Sequence, residues 1–333
     1  MCIRDSVYGL DRFQFQSSNL DELEGTVTQV ADAPVGFTNS LKWTTTEPES
    51  SISAGESFDC CQKIEAQDLQ QLAFGTSSAK KLTLRFYVKS SVTGTYGINV
   101  YKADSTARQL TSTYTISSAD TWEEKTFVFP ADTDSGATIA NDTGEGLRIT
   151  WHLGTGSSFT SSDTALTWTN YADAGWAFGH AQNGVATTDN ATWQLTGVQL
   201  EVGDYPNPTP FEHRSFGDEL ALCQRYCFRI NDNGSDAIQI GNGYYVTTTT
   251  TRVVVTFPVT MRGIPTVTTL DAGLGILRAN VVDNSVTLSS TNDPSTYSTG
   301  LNLADCASDT IGEGIVLRIV NGTSGFLEAD AEL

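Results

Sequence analysis

The chain has 333 residues with 39 acidic and 19 basic side chains, which gives a formal net charge of −20. Such a surface repels nucleic acid phosphates, so the composition argues against nucleic acid as a partner. No apolar run approaches the ~20 residues that a membrane-spanning helix needs, and six cysteines are too few for a disulfide scaffold in a chain of this length.

The first six residues, MCIRDS, read back into codons as the end of a transposon-type sequencing adapter. We therefore expect residues 1–6 to be an artefact rather than native sequence. The native N-terminus is then missing, and no leader peptide can be looked for at this end of the chain.

Period-two alternation of apolar and polar residues predicts strands along most of the chain. In KLTLRFYVKSS the apolar side chains share one face, and TGTYGINVYKA follows after a Thr-Gly turn, which predicts a hairpin. The segment TWEEKTFVFP is predicted as a strand that stops at Pro130. GLRITWHLG places His152 on its polar face, and ATWQLTGVQLEV changes phase at Gly197, which predicts a β-bulge.

The composition changes two-thirds of the way along the chain. All six tryptophans and all three histidines lie at or before residue 213. Between the two parts stand Pro206, Pro208 and Pro210, which forbid continued strand pairing, and then Ser215, which can cap a short helix. These features predict a stiff connector between two domains.

The predicted fold class is all-β, with two β-sandwich domains. We expect a jelly roll over residues 7–205, a proline-rich linker and short helix over 206–227, and a smaller C-terminal sandwich over 228–333. The second half carries strand patterns with Asn-Gly, Asp-Asn and Gly-rich turns, and its last strand runs almost to the end of the chain.

Three stretches resemble a family of tail-fibre-like proteins of tailed bacteriophages from marine and other environments. They are LTGVQLEVGDYPNPTPFEHRSFGDELALCQRYCF at the connector, VTFPVTMRGIPTV at 255–267, and the terminal FLEADAEL. Upstream, the stretches LKWTTT, QKIEAQDLQQLAFGTSSAKKLTLRFYVKSSVTGTY and TWEEKTFVF resemble the first domain of that family, which is similar to jelly-roll modules of the CenC-like carbohydrate-binding type. The chain departs from the family pattern at Cys227, where a second tyrosine is common, and in its extra proline.

The resemblance implies a virion component of the tail that is assembled in the host cytoplasm. Its implied partners are host cell-surface glycans and other tail or baseplate proteins, and the implied assembly is a homotrimer. Two alternatives remain open at this point. One is the carbohydrate-binding portion of a secreted polysaccharide-degrading enzyme, and the other is a structural fibre spacer without a ligand.

The residues themselves indicate binding rather than catalysis, because the chain lacks the common hydrolase, metalloprotease and nucleotide-binding motifs. The aromatic segment LTWTNYADAGWAFGHAQNG, residues 166–184, suits a sugar site, since sugar C–H faces stack on rings while hydroxyls need polar partners. Trp168 is predicted to be in the core. The candidate ligand-binding residues are Trp176, Tyr171, His180, Arg85, Tyr87, Tyr101 and His152.

No cofactor is predicted. A structural calcium ion is possible at the Asp-rich turns ADTDSG and NDTGEG, although neither matches an EF-hand loop. Cys223 and Cys227 stand four residues apart, but we expect thiols rather than half of a metal site.

Overall fold

The computed structural model describes residues 7–8, 12–161, 165–207, 209–232, 234, 237–269, 273–278, 281–284, 286–320, 322 and 325–332. The predicted artefact at residues 1–6 lies outside these. The chain divides into two compact units, Met1–His213 and Arg214–Leu333. Both are built from antiparallel sheets, so the all-β prediction is confirmed.

The first unit is a sandwich of two sheets. One has seven strands in the order β1-β2-β5-β10-β7-β8-β11, and the other has five in the order β3-β4-β12-β6-β9. The strands are β1 Val7–Tyr8, β2 Phe13–Ser18, β3 Glu24–Val30, β4 Ser40–Glu47, β5 Ser57–Glu65, β6 Leu82–Ser90, β7 Gly94–Lys102, β8 Arg108–Ile116, β9 Glu123–Phe129, β10 Glu145–Thr155, β11 Thr169–Asn170 and β12 Thr192–Val202.

The core of this unit lies between the two sheets and is rich in large rings. Trp43, Trp151 and Trp193 are fully buried in it. The predicted apolar face of β6 supplies four of the buried side chains, Leu82, Leu84, Phe86 and Val88. Burial of a whole aromatic ring contributes about 1.5–3 kcal/mol, so these strands stabilise the unit strongly.

Two local predictions had different outcomes. The bulge at Gly197 is confirmed, because the pairing of β12 with β6 shifts register between Thr196 and Gln199. The hairpin between β6 and β7 is wrong: β6 pairs with β12 and β9, while β7 pairs with β8 and β10 in the other sheet. The Thr-Gly turn therefore carries the chain across the sandwich.

The second unit has a three-stranded sheet, β13-β22-β16, and a seven-stranded sheet, β18-β17-β21-β14-β15-β20-β19. Its core includes Leu274, Leu303 and Leu317 of the larger sheet together with Leu327 of the smaller one. The strands are β13 Cys227–Asn231, β14 Ile238–Tyr245, β15 Thr251–Thr256, β16 Thr266–Thr269, β17 Leu274–Arg278, β18 Val281–Asp283, β19 Thr287–Asn292, β20 Ser298–Ala304, β21 Gly314–Ile319 and β22 Phe326–Asp330.

The helices are short. Helix α1 spans Gly184–Thr187, and helix α2 spans Phe216–Gln224. Ser215 caps α2 as predicted, since its side chain accepts a hydrogen bond from the backbone N–H of Asp218. Within the described part of the chain, no helix combines the length and the apolar character that crossing a bilayer requires.

The bulge at Gly197 gives a stability prediction. Gly197 has φ +59°, and a Cβ there would lie 2.6 Å from Cζ of Phe37. We expect Gly197→Ala to lower the free energy of unfolding by about 2–3 kcal/mol, from left-handed backbone strain plus the clash. Urea unfolding followed by tryptophan fluorescence measures it in the first unit, which holds every tryptophan.

Gly36→Ala is the control, because Gly36 has φ +99° and nothing lies within 4 Å of the position that its Cβ would take. It should cost only the backbone strain, about 1 kcal/mol. Equal losses for the two variants would show that the packing of Phe37 against the bulge contributes nothing.

Candidate functional site

The outward face of the seven-stranded sheet carries the ring of Tyr101. Tyr101 on β7 is paired in register with Arg148 on β10, and the guanidinium lies over the ring, 5.4 Å from its centroid. Glu145 holds Arg148 through two hydrogen bonds of 2.9 and 2.8 Å. This fixes a planar cation against one aromatic ring.

The segment 169–187 lies across this face and brings two further rings to Tyr101. The Tyr101 centroid is 5.5 Å from that of Tyr171 and 5.7 Å from that of Trp176, and the last two are 5.7 Å apart. All three pairs meet edge to face, a favourable arrangement for aromatic rings. Tyr171 is 42% exposed, and the other two are partly exposed. We call these three residues the aromatic site.

Polar groups surround the aromatic site. The hydroxyl of Tyr171 donates to Oδ1 of Asp173 at 2.5 Å. Partial burial and then the Asp173 carboxylate raise the pKa of Tyr171 to about 12, so its hydroxyl stays protonated at neutral pH. With Arg148 beside Tyr101, the site offers ring faces together with donors and acceptors.

The backbone of the segment is held to the sheet by buried side chains. The carbonyl oxygen of Trp176 accepts from Nδ2 of Asn99 at 2.9 Å and from Nε2 of His152 at 3.0 Å. Nε2 of Gln109 donates to the carbonyl of Ala172 at 3.2 Å. Because a buried carbonyl without partners is costly, these donors decide where the segment lies.

His152 lies on the polar face of its strand, as the alternation predicts, but it is not exposed to solvent or to a ligand. Its ring is fully buried, because the segment 169–187 covers the polar face of β10. Its Nδ1 lies 2.6 Å from Oδ1 of Asp59, which is also buried. His180 is buried too, and its Nδ1 accepts from the backbone N–H of Gly97 at 3.0 Å. Both histidines lie beneath the aromatic site rather than on its surface.

Arg85 and Tyr87 lie on the other sheet. The hydroxyl of Tyr87 donates to Oε2 of Glu124 at 2.9 Å, and Nε of Arg85 is 2.8 Å from Oε1 of the same carboxylate. Arg85 also donates to the carbonyl of Thr209 at 3.3 Å. Phe37 contacts Tyr87 and Phe211, so residues 209–213 of the connector cover this face.

The structure therefore brings five of the seven predicted residues together, three in the aromatic site and two beneath it. Asp59, Asn99 and Asp173 also belong to this arrangement and were not among the predicted residues. Asn99 had a signal, since it stands two residues before Tyr101 on the same face of one strand. Asp59 had none, because only the register of β5 with β10 places it opposite His152.

In the turn ADTDSG, basic side chains of the same chain bond the carboxylate of Asp132 and the carbonyl of Gly136. Asp132 receives two hydrogen bonds from Arg108, at 2.5 and 3.1 Å, and Asp134 accepts from the backbone of Gly136. The buried ammonium of Lys102 donates to the carbonyls of Asp104, Gly136 and Thr138. Burial lowers the pKa of Lys102. Among the described residues, no group of three or more His, Cys, Asp or Glu side chains could hold a metal ion.

An open pocket of about 380 Å³ lies beside this turn. Its lining includes Arg108, Asp132 and Trp168. Trp168 packs partly against the core, as predicted, and its Nε1 donates to the carbonyl of Pro130 at 2.8 Å. The charges in the pocket are paired with one another, so it offers less to a ligand than the aromatic site.

Comparisons with known proteins give structural likeness only. No family model matches the sequence, and no curated protein sequence matches it. The family 11 carbohydrate-binding module of a cellulosomal cellulase of Clostridium thermocellum is 12% identical, with a TM-score of 0.32, over 61% of this chain and 94% of that one. A family 30 carbohydrate-binding module is 13% identical, with a TM-score of 0.31, over 64% and 93%.

The enzymatically active domain of tailspike protein 4 of bacteriophage CBA120 is 12% identical, with a TM-score of 0.31, over 59% of this chain. This chain covers only 20% of that one. Likeness at these identities and scores does not show what the present chain binds.

Arg85 and Arg148, one on each sheet of the first unit, give a prediction about the connector. We expect Arg85→Ala to speed amide hydrogen exchange in residues 209–213 by about tenfold, since it removes a contact with Thr209 and a partner of Glu124. Arg148→Ala, on the opposite sheet, should leave that exchange unchanged. Equal exchange in Arg85→Ala and the unmodified protein would mean that the connector is held without this arginine.

Proposed function

We propose that the protein binds saccharides without catalysis, as a receptor-binding component of a bacteriophage tail that attaches to host surface glycans. The observation that carries the proposal is the aromatic site, where Tyr101, Tyr171 and Trp176 meet beside polar groups. Sugar C–H faces stack on such rings, while Arg148 and Asp173 can bond the hydroxyls.

The tail context is supported by the sequence resemblance at the connector and at 255–267. Attachment through a site of this size would be weak for one copy, so several linked copies would strengthen it by avidity. A tail component meets this requirement, because it presents repeated copies to one cell surface.

We also propose a homotrimer that assembles through the second unit. Of the fifteen large apolar side chains that are exposed among the described residues, eleven lie in residues 214–333. That part of the sequence has seven arginines and no lysine. Interfaces between protein copies are enriched in arginine and depleted in lysine, so this surface has the composition of an interface.

The substitution Trp176→Ala tests the site. We expect binding to glycans or host cells to weaken by about 1–3 kcal/mol, roughly 5- to 150-fold. This range is the one found for nucleic acid bases that stack on aromatic side chains. Because Trp176 is half-buried, its loss should also lower the free energy of unfolding by about 1–2 kcal/mol. A glycan array and thermal unfolding measure both effects on the same variant.

Trp122→Ala is the matched control. Trp122 is also half-buried, but it lies beside the five-stranded sheet, where its Nε1 donates to Asp32 at 3.2 Å. It should lose similar stability and keep full binding. Full binding by Trp176→Ala would remove the aromatic site from the proposal, and an array blank for the unmodified protein would favour a structural spacer.

Light scattering tests the assembly. We expect a mass three times that of the 35.8 kDa chain at micromolar concentration. Replacing Phe216, which is 83% exposed, together with Leu220 by serine should shift the mass toward the monomer. Val35→Ser, at a fully exposed apolar side chain of the first unit, should leave it unchanged. A monomeric unmodified chain would contradict the trimer.

A further inference from the structure

The position of Trp176 depends on two histidines that do not reach the surface. His152 donates to the carbonyl of Trp176, and His180, four residues after Trp176 in the same segment, accepts from the N–H of Gly97. The two imidazole rings meet edge to face with centroids 6.1 Å apart. Neither ring can contact a saccharide at the aromatic site directly, so any role in binding acts through the backbone of this segment.

We propose that His152 and His180 are positioning residues of the aromatic site, and that protonation of His180 releases the Trp176 segment and weakens saccharide binding in acid. The expected effect on saccharide binding rests on the proposed function. The hydrogen bonds of the two histidines do not depend on it. It adds regulation by protons to a site that otherwise consists of rings and hydrogen bonds.

Donor and acceptor roles fix the protons of His152. A carbonyl oxygen only accepts, so Nε2 of His152 carries a proton toward Trp176. Nδ1 lies 2.6 Å from a carboxylate oxygen of Asp59, and a hydrogen bond there needs a second proton between the two atoms. The His152–Asp59 pair therefore holds two protons while it holds the segment.

The same reasoning makes His180 neutral. A backbone N–H only donates, so Nδ1 of His180 must be unprotonated and the ring proton lies on Nε2. That Nε2 is buried. Burial, and then the charge of His152, lower the pKa of His180 from 6.5 to about 4.

Gly97 is what lets both rings lie against the sheet. A Cβ at this position would be 2.9 Å from Cδ2 of His152 and 3.2 Å from Cβ of His180. The titratable groups facing His180 are Asp59 from β5, His152 from β10 and Tyr96 from β7, the last with its ring centroid 6.0 Å away. The neighbouring groups of its own segment, at positions 182 and 183, are uncharged amides.

Acid has a defined effect on this arrangement. A proton on Nδ1 of His180 would face the N–H of Gly97, so two donors would oppose each other, and a second cation would lie beside His152. Because the folded-state pKa is below the unfolded-state value, the stability contribution is full above pH 6.5 and is lost as the pH falls from 6.5 to about 4. His180 of the folded protein is half protonated at about pH 4, so the segment that carries Trp176 should detach as the pH falls through that value.

The first experiment needs no saccharide. Nitrogen-15 NMR of the imidazoles in the full chain at pH 7 should show His180 neutral with its proton on Nε2. As the pH is lowered, the indole N–H resonance of Trp176, assigned with Trp176→Phe, should move with the titration of His180. A proton on Nδ1 of His180 at pH 7 would overturn the proposal. So would an indole N–H resonance of Trp176 whose position does not change as His180 titrates.

The second experiment measures affinity for laminarin, cellohexaose and yeast mannan between pH 7 and pH 3.5, with far-UV circular dichroism at each pH to confirm folding. The unmodified protein should lose about half its affinity at pH 4 and more than twofold below it. In His180→Asn the amide oxygen takes the place of Nδ1 but cannot titrate. Relative to its own affinity at pH 7, this variant should lack the acid loss that the unmodified protein shows.

His213→Asn, at an exposed histidine packed on Phe37, is the control and should keep the acid loss. An acid loss of equal size in His180→Asn would contradict the proposal. If none of the three saccharides binds at any pH, the glycan array on the unmodified protein and on Trp176→Ala decides the proposed function, and the NMR experiment alone decides the proton coupling.

Discussion

The buried carbonyl oxygen of Trp176 and its two side-chain donors are the contact on which the aromatic site depends. Asn99 and His152 project from neighbouring strands of the seven-stranded sheet and bond the same oxygen. Without them the segment 169–187 would leave buried polar groups unpaired at both partners, which costs about 1–3 kcal/mol for each group. With these two donors, the backbone of Trp176 is bonded to the sheet although it lies in a loop, and the Trp176 ring contacts Tyr101.

The two outward faces of the first unit are used differently. On the seven-stranded sheet the chain covers polar side chains and leaves rings partly exposed above them. On the five-stranded sheet the connector residues 209–213 lie over Arg85 and Tyr87, so these two side chains form their hydrogen bonds within the chain. The alternation of polar and apolar residues had indicated ligand-binding candidates on both faces. It distinguishes inward-facing from outward-facing side chains, but it does not show which outward-facing side chains another segment covers.

Buried charged side chains in the first unit, like its buried carbonyl oxygens, have bonding partners within the chain. The cations and carboxylates there are paired within the chain, as Arg108 is with Asp132 and Lys102 is with backbone carbonyls. A buried charge without a partner is strongly destabilising, so these contacts stabilise the turn ADTDSG, one of the two turns that the sequence had offered for a calcium ion. The paired His152 and Asp59 obey this constraint beneath the aromatic site.

The sequence by itself determined the strands, the bulge at Gly197 and the Ser215 cap, because period-two patterning, glycine conformation and capping are local properties. It also marked the aromatic segment from which Tyr171 and Trp176 come. Only the tertiary structure decided that β6 and β7 belong to different sheets, that His152 is buried, and that Asp59 faces it. Those facts depend on cross-strand register and on which segment covers which face, and such long-range contacts leave no period in the sequence of any one strand.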